Sequence, residues 1–308
     1  MTITNYPNGI SSFGMPLIGM TTGNVWFVDD SGSNGNSGTD KDNPFATIDY
    51  AIGRCTANHG DVIIVMPGHT EDIAAAGGIA VDVAGVSIIG LGNGGDRPKI
   101  TFSETASTMT ITAAACTLRN LVFSAIRAEV VTAIAISTAG DYTSFESCEF
   151  SENANDGTHN YVNTITLATG ANHLSWKDCM FIGADANNDA FITGVTHDGF
   201  IVENCIFYEN AAQATVVGLI TATENITNMR IKNCDFMSQK DGAIAIDLTG
   251  ATNGGTISRC NFSSLDTDDS TTTAVEATGA HCFECYVAGD ASSFGIVGGG
   301  AAVHNDGA

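Results

Sequence analysis

Basic residues are scarce in this chain. Eleven lysines and arginines stand against 34 acidic residues, a formal charge of −23. Only 15% of residues carry a charge, against roughly 25% in an average soluble domain. A surface this negative repels phosphate backbones and argues against a nucleic-acid partner. Proline occurs only 5 times. No apolar run approaches the roughly 18 residues that a membrane span requires, so no membrane association is expected. Residues 1–20 lack the basic n-region and compact apolar block of a signal peptide. The chain reads as soluble, acidic and made in a reducing compartment. What is plentiful is glycine, with 35 copies, and apolar residues, at 44%. That is enough apolar material for a large core and argues against wholesale disorder.

The organising feature is a repeat of the form apolar-x-x-Cys-x-Phe. It reads Phe145-Glu-Ser-Cys148-Glu-Phe150, Trp176-Lys-Asp-Cys179-Met-Phe181, Val202-Glu-Asn-Cys205-Ile-Phe207, Ile231-Lys-Asn-Cys234-Asp-Phe236 and Ile257-Ser-Arg-Cys260-Asn-Phe262. A last copy is Cys282-Phe-Glu-Cys285-Tyr-Val287. Two earlier copies replace the cysteine, Leu118-Arg-Asn-Leu121-Val-Phe123 and Val86-Ser-Ile-Ile89-Gly-Leu91. The central positions lie 32, 27, 31, 26, 29, 26 and 25 residues apart. The central residue and the one two positions on share a strand face, because side chains alternate. The apolar residue three positions earlier can face inward only across a bend. A second alternating run precedes most copies, as in Ile134-Ala-Ile136, Ile165-Thr-Leu167 and Ile244-Ala-Ile246-Asp-Leu248. Turn residues such as Thr169-Gly-Ala-Asn172 separate the two runs.

Each period therefore holds two or three short strands and tight corners, with no room for a helix. Like residues recurring once per period are expected when coils stack in register about 4.8 Å apart. The pattern predicts an all-β fold, a right-handed single-stranded parallel β-helix of about eight or nine coils. Cysteine and phenylalanine then form an inward ladder: Cys148, Cys179, Cys205, Cys234, Cys260 and Cys285, beside Phe123, Phe150, Phe181, Phe207, Phe236 and Phe262. In this setting cysteine is expected as a small buried hydrophobe rather than a disulfide or metal ligand, since stacked side chains run parallel and the one CxxC pair, Cys282-Phe-Glu-Cys285, falls on the repeat with no second pair beside it.

Ahead of the coils lies a strand-like run, Asn24-Val-Trp-Phe-Val-Asp-Asp30, then a Gly/Ser/Asn loop. From Asn43 the sequence predicts a capping helix, with Asn43 as N-cap, Pro44 at its first position, and Phe45, Ile48, Ile52 and Cys55 on one face. The expected organisation is an uncharged docking arm at 1–24, a cap at 25–60, a β-helix at 61–290 and a tail at 291–308. No charged side chain precedes Asp29. Residues 1–24 therefore suit docking on another protein through Ile3, Tyr6, Pro7, Ile10, Phe13, Met15, Leu17 and Ile18. A strand folded back over the column's own side fits the same residues equally well.

The stretch from Val28-Asp-Asp-Ser-Gly-Ser through Asn43-Pro-Phe-Ala-Thr-Ile48 to Gly60-Asp-Val-Ile-Ile-Val65 resembles the opening segment of pectate-lyase-like right-handed parallel β-helix proteins. It is similar to the versions found in virion proteins of tailed bacteriophages. Residues 1–14 also resemble the starts of phage structural proteins. With the repeats, the resemblance covers roughly residues 25–290, and it is specific for fold more than for function. It implies a virion protein assembled in the host cytoplasm, as a homotrimer, with the major capsid protein or another virion protein as partner. Head decoration or cement is the leading reading. A tail spike or fibre binding host glycan, or a polysaccharide lyase or hydrolase, are the alternatives.

Catalytic residues of such a lyase would be an Arg or Lys base with Ca²⁺-binding acids. The candidates for the base are Arg119, Arg127, Lys177, Arg230, Lys232 and Arg259, most of which read as solvated outward positions. Arg230-Ile-Lys232 matches one element of the family's hydrolases, but the other elements are missing in order and spacing. Asp266, Asp268 and Asp269 fall in a Ser/Thr/Asp loop. Asp29, Asp30, Asp40 and Asp42 fail the EF-hand spacing, which places Lys41 at its twelfth position. Gly90-Leu-Gly92-Asn-Gly-Gly95 reads as a corner between coils and not as a phosphate loop. The histidines, His69, His173 and His197 among them, have no nucleophile or carboxylate at motif spacing. The expectation is a non-enzymatic protein with no catalytic residue, cofactor or metal.

Overall fold

The computed structural model describes residues 11–12, 15–16, 21, 23–152, 159–183, 190–209, 218–238, 244–248, 252–264, 275–288 and 296–297. Three parallel sheets of ten, nine and nine strands run the length of a column. The chain visits them in rotation. Thr117–Arg119 lies in sheet I, Val122–Ala125 in sheet II and Val130–Ile136 in sheet III, and the next coil repeats the order with Ser144–Glu146, Glu149–Ser151 and Tyr161–Leu167. This is a right-handed parallel β-helix.

Register inside the column follows the repeat. Phe123, Phe150, Phe181, Phe207, Phe236 and Phe262 pair in sequence along sheet II. Their rings stack 4.6 to 5.1 Å apart, with planes within 10° of parallel. That spacing is imposed by the strands, which sit about 4.8 Å apart. Sheet I contributes Ile88, Leu118, Phe145, Trp176, Val202, Ile231, Ile257 and Cys282 to the same core. The first copy of the repeat is displaced from the expected register. Leu118 pairs with Ile88 and not with Val86. A shift of two residues leaves inside and outside unchanged, so alternation cannot fix it.

The bend that the repeat demands is a single residue in the left-handed region. Asn120, Ser147, Asp178, Asn204, Asn233, Arg259 and Glu284 all have φ of 53 to 55°, except Asn233 at 52°. Each directly precedes the central residue of its motif and turns the chain from sheet I to sheet II. Its N–H still continues the ladder, as in Ser147 N–H to Lys177 O at 2.9 Å and Asn204 N–H to Lys232 O at 3.0 Å. The side chains form a ladder outside: Asn204 donates to Asp178 at 3.1 Å and Asn233 to Asn204 at 3.2 Å.

The first end of the column is closed by a helix shorter than the sequence pattern predicts. It spans Ile48–Ile52, and its N-cap is Thr47, whose hydroxyl accepts from Tyr50 N–H, so Asn43 and Pro44 do not start it. The reason is that Phe45 is taken up as strand. Phe45 N–H donates to Phe27 O and Asp29 N–H to Phe45 O, which adds a rung beside Val25–Val28. Ile48, Ala51 and Ile52 cover the core. Carboxylates receive the edge donors left over. Glu71 accepts from Ile48 N–H, Asp49 from Ala80 N–H and Asp30 from Thr70 N–H.

Of the segment expected as an arm, Ser11–Ser12 pairs antiparallel with Met15–Pro16. Ile3, Tyr6, Pro7, Ile10, Phe13, Leu17 and Ile18 lie outside the described residues, as does the side chain of Met15. Ile296–Val297 pairs with Val275–Ala277 and adds a rung to sheet III from within the segment assigned to the tail. Among the described residues, no helix is long and apolar enough to cross a membrane.

Candidate functional site

The cysteines occupy the inside of the corner between sheets I and II. Cys148, Cys179, Cys205, Cys234, Cys260 and Cys285 are buried and free. Each thiol points to one carbonyl of the preceding coil. Cys148 reaches Leu118 O at 3.5 Å, Cys179 reaches Phe145 O at 3.6 Å, Cys205 reaches Trp176 O at 3.6 Å, and Cys285 reaches Ile257 O at 3.7 Å. In every case this is the carbonyl of the motif's first apolar residue. A thiol here fills a small volume and offers a weak donor to a buried oxygen. Burial pushes the Cys148 thiol well up and, at Cys282, up to about 12, so both are protonated packing groups.

The outward face of sheet I carries Arg119, Lys177, Arg230 and Lys232, four of the chain's eleven cations. Arg119, Glu146, Lys177, Glu203 and Lys232 pair one after another in a single column, so charge alternates in sign over five coils. Arg230, one column over, donates to Glu203 at 2.8 Å. Arg119 lies 4.0 Å from Glu146, and Arg259 donates to Glu284 at 2.7 Å. Glu284 holds the Arg259 guanidinium above its ordinary value, the opposite of what a catalytic base needs. The alternation was legible in the repeat, as the residue following each first apolar position, but only once the copies are aligned.

A second cluster sits at the corner entering sheet I. Tyr142 and His173, from successive coils, stack ring on ring with centroids 4.5 Å apart and planes 10° from parallel. His173 Nε2 is 3.9 Å from a carboxylate oxygen of Asp198 on the next coil, and both of those side chains are 44% exposed. Asp198 also accepts from the Thr227 hydroxyl at 2.7 Å and the Asn228 amide at 2.6 Å. Those two donors hold its carboxyl below the usual range. Sequence spacing shows no partner for His173, because its partners come from neighbouring coils. Alignment of the copies would have found them, since Tyr142 and His173 each stand three residues before the motif's first apolar residue.

The remaining candidates are structural or lie elsewhere. Asp29 accepts from Ser31, and Asp40 accepts from Asp42 N–H and the Asn43 amide. Asp266, Asp268 and Asp269 lie outside the described residues. His69 is buried with Nε2 3.2 Å from Glu71. His197 is buried as the neutral imidazole, donating from Nδ1 to Ala171 O and accepting Val195 N–H at Nε2. Burial holds its pKa below the ordinary value. Among the described residues, no group of three His, Cys, Asp or Glu side chains is placed to hold a metal ion. Gly90–Gly95 forms the corner leaving sheet I and runs into a short 3-10 turn, Gly94–Asp96.

This architecture defines a β-helix of the pectate-lyase-like kind. Solved structures that it resembles include a rhamnogalacturonan lyase, at 13% identity and a TM-score of 0.54, covering 86% of this chain and 73% of that one. A pectin methylesterase in complex with a hexasaccharide follows at 12% identity and 0.52, covering 89% and 92%. A pectate lyase matches at 13% identity and 0.50, covering 93% and 83%. Identities this low speak to the fold alone. No family model matches the chain, and no curated protein matches it by sequence.

Proposed function

We propose that this chain is a non-enzymatic structural protein of a tailed-bacteriophage particle, a head decoration or cement protein that docks on the major capsid protein or another virion protein. The observation that carries this reading is the charge-free stretch of residues 1–28 in a chain with 34 acids. That stretch joins the column at its capped end. The Thr21 hydroxyl donates to Gly60 O, Asn24 N–H donates to Asp61, and Val25–Val28 pairs with Val62–Val65. The column supplies a rigid body, and the uncharged segment supplies an apolar contact that needs no desolvation of charge. The outward cations Arg119, Arg230 and Arg259 are committed to carboxylates of neighbouring coils, which makes them fasteners between rungs.

Assembly as a homotrimer around a local three-fold axis belongs to the same proposal. The test is to purify particles carrying the full chain or the chain lacking residues 1–20. Retention of the full chain and loss of the shortened one are expected. Release of new chain ends from pectin or rhamnogalacturonan by the purified protein would overturn the non-enzymatic reading.

A further inference from the structure

We infer that the corner built by Ala115, Tyr142 and His173 is a binding subsite for one ring of a neutral saccharide, a role that goes beyond docking on a particle. Five successive coils place Gly85, Ala115, Tyr142, His173 and Gly199 in one column, with φ of 77, 58, 59, 57 and 72°. Only two of the five carry a ring. His173 covers one face of Tyr142. Gly199 makes room for His173, since a Cβ there would lie 2.9 Å from its ring. Toward the capped end, Ala115 offers a methyl group and Gly85 none. On the side of the second face of Tyr142 the column therefore carries nothing larger than a methyl group for two coils, about 9–10 Å. Tyr142 is 59% exposed, and its ring is held rigidly by the stack beneath it.

The surroundings specify the ligand class. A pyranose ring has an apolar face that lies on an aromatic ring and a rim of hydroxyls that need polar partners. Two residues on from Tyr142 and Ala115, toward sheet I, Ser144 and Thr117 carry hydroxyls 3.1 Å apart. Asp141, the residue before Tyr142, has one oxygen engaged by Asn172 N–H at 2.7 Å. The charged residues that adjoin the column in the chain, Asp141 and Asp198, are both carboxylates, so a uronate would meet like charge. A quaternary ammonium would call for a cage of several rings, and Tyr142 has one open face. The neutral sugar fits best.

The test titrates the full chain with maltohexaose, cellohexaose and a β-galactohexaose, with hexagalacturonate and choline as comparison ligands, by calorimetry and saturation-transfer NMR. At least one neutral hexasaccharide is expected to bind saturably. Tyr142→Ala should weaken that binding about tenfold or more, and Tyr142→Phe should retain it, with circular dichroism matching the parent for both. Overturning results are no binding by any neutral hexasaccharide, unchanged binding by Tyr142→Ala, or tighter binding of hexagalacturonate or choline. Particle attachment is read separately, so the two proposals fail independently.

Discussion

Phe181 sits in the middle of the phenyl stack, between Phe150 at 4.6 Å and Phe207 at 4.7 Å. Its neighbours are held by strand register and cannot collapse into a gap. Phe181→Ala is therefore expected near the upper part of the usual range, about 3–5 kcal/mol, measured by denaturant unfolding. A loss under about 1 kcal/mol would contradict a rigid stack. Asp61 makes a different contribution. It is buried and accepts from Asn24 N–H and Thr56 N–H at 2.6 Å each and from His59 at 2.7 Å. Burial acts to raise its pKa, but the three hydrogen bonds outweigh burial and hold it below the ordinary carboxylate value. The folded state thus binds the proton less well than the unfolded chain. Its contribution is full above about pH 3.9 and is lost as pH falls through the folded value. Asp61→Asn should cost about 1–3 kcal/mol at neutral pH and flatten the acid limb of a stability–pH curve. An unchanged acid limb would show that Asp61 is not what fastens residues 21–25 to the column.

The corner between sheets I and II is the element on which the coil depends. Asn204 combines φ of 55° with hydrogen bonds to Asp178 and Asn233. Asn204→Ala loses both bonds and places an alanine in the left-handed region, which costs about 1–2 kcal/mol from the backbone alone. Asn204→Gly loses the bonds but relieves the backbone. The glycine variant should therefore be the more stable of the two in thermal unfolding, and the reverse order would mean that the corner is held by something other than backbone conformation. This corner was legible as a bend, because Phe145 and Cys148 cannot both face inward along a straight strand. Its left-handed residue was not, since Asn, Ser, Asp, Arg and Glu share no composition signal. The capping helix failed for a related reason. Asn43-Pro44 is a good helix start in isolation, yet Phe45 pairs with Val25–Val28, and a tertiary contact overrides the local preference. The Tyr142–His173–Asp198 corner was invisible to spacing within one motif, because its members lie on three different coils.

For the whole molecule, the scarcity of cations takes on a spatial meaning. Arg119, Lys177, Arg230, Lys232 and Arg259 belong to one side of the column, interleaved with Glu146, Glu203 and Glu284. The stretch 1–28 carries no charge at all. Within that stretch, Val25–Val28 pairs with Val62–Val65 beside the capping helix; in the proposed reading the chain attaches through the uncharged segment while the acidic surface repels unspecific contacts. The most direct measurement is quantitative mass spectrometry of purified particles, assembled with the full chain or with residues 1–20 removed. Our account predicts a fixed stoichiometry for the full chain, in multiples of three per attachment site, and loss of the shortened chain from particles while its β-helix still folds. Equal incorporation of both forms, or absence of the full chain from particles, would contradict it.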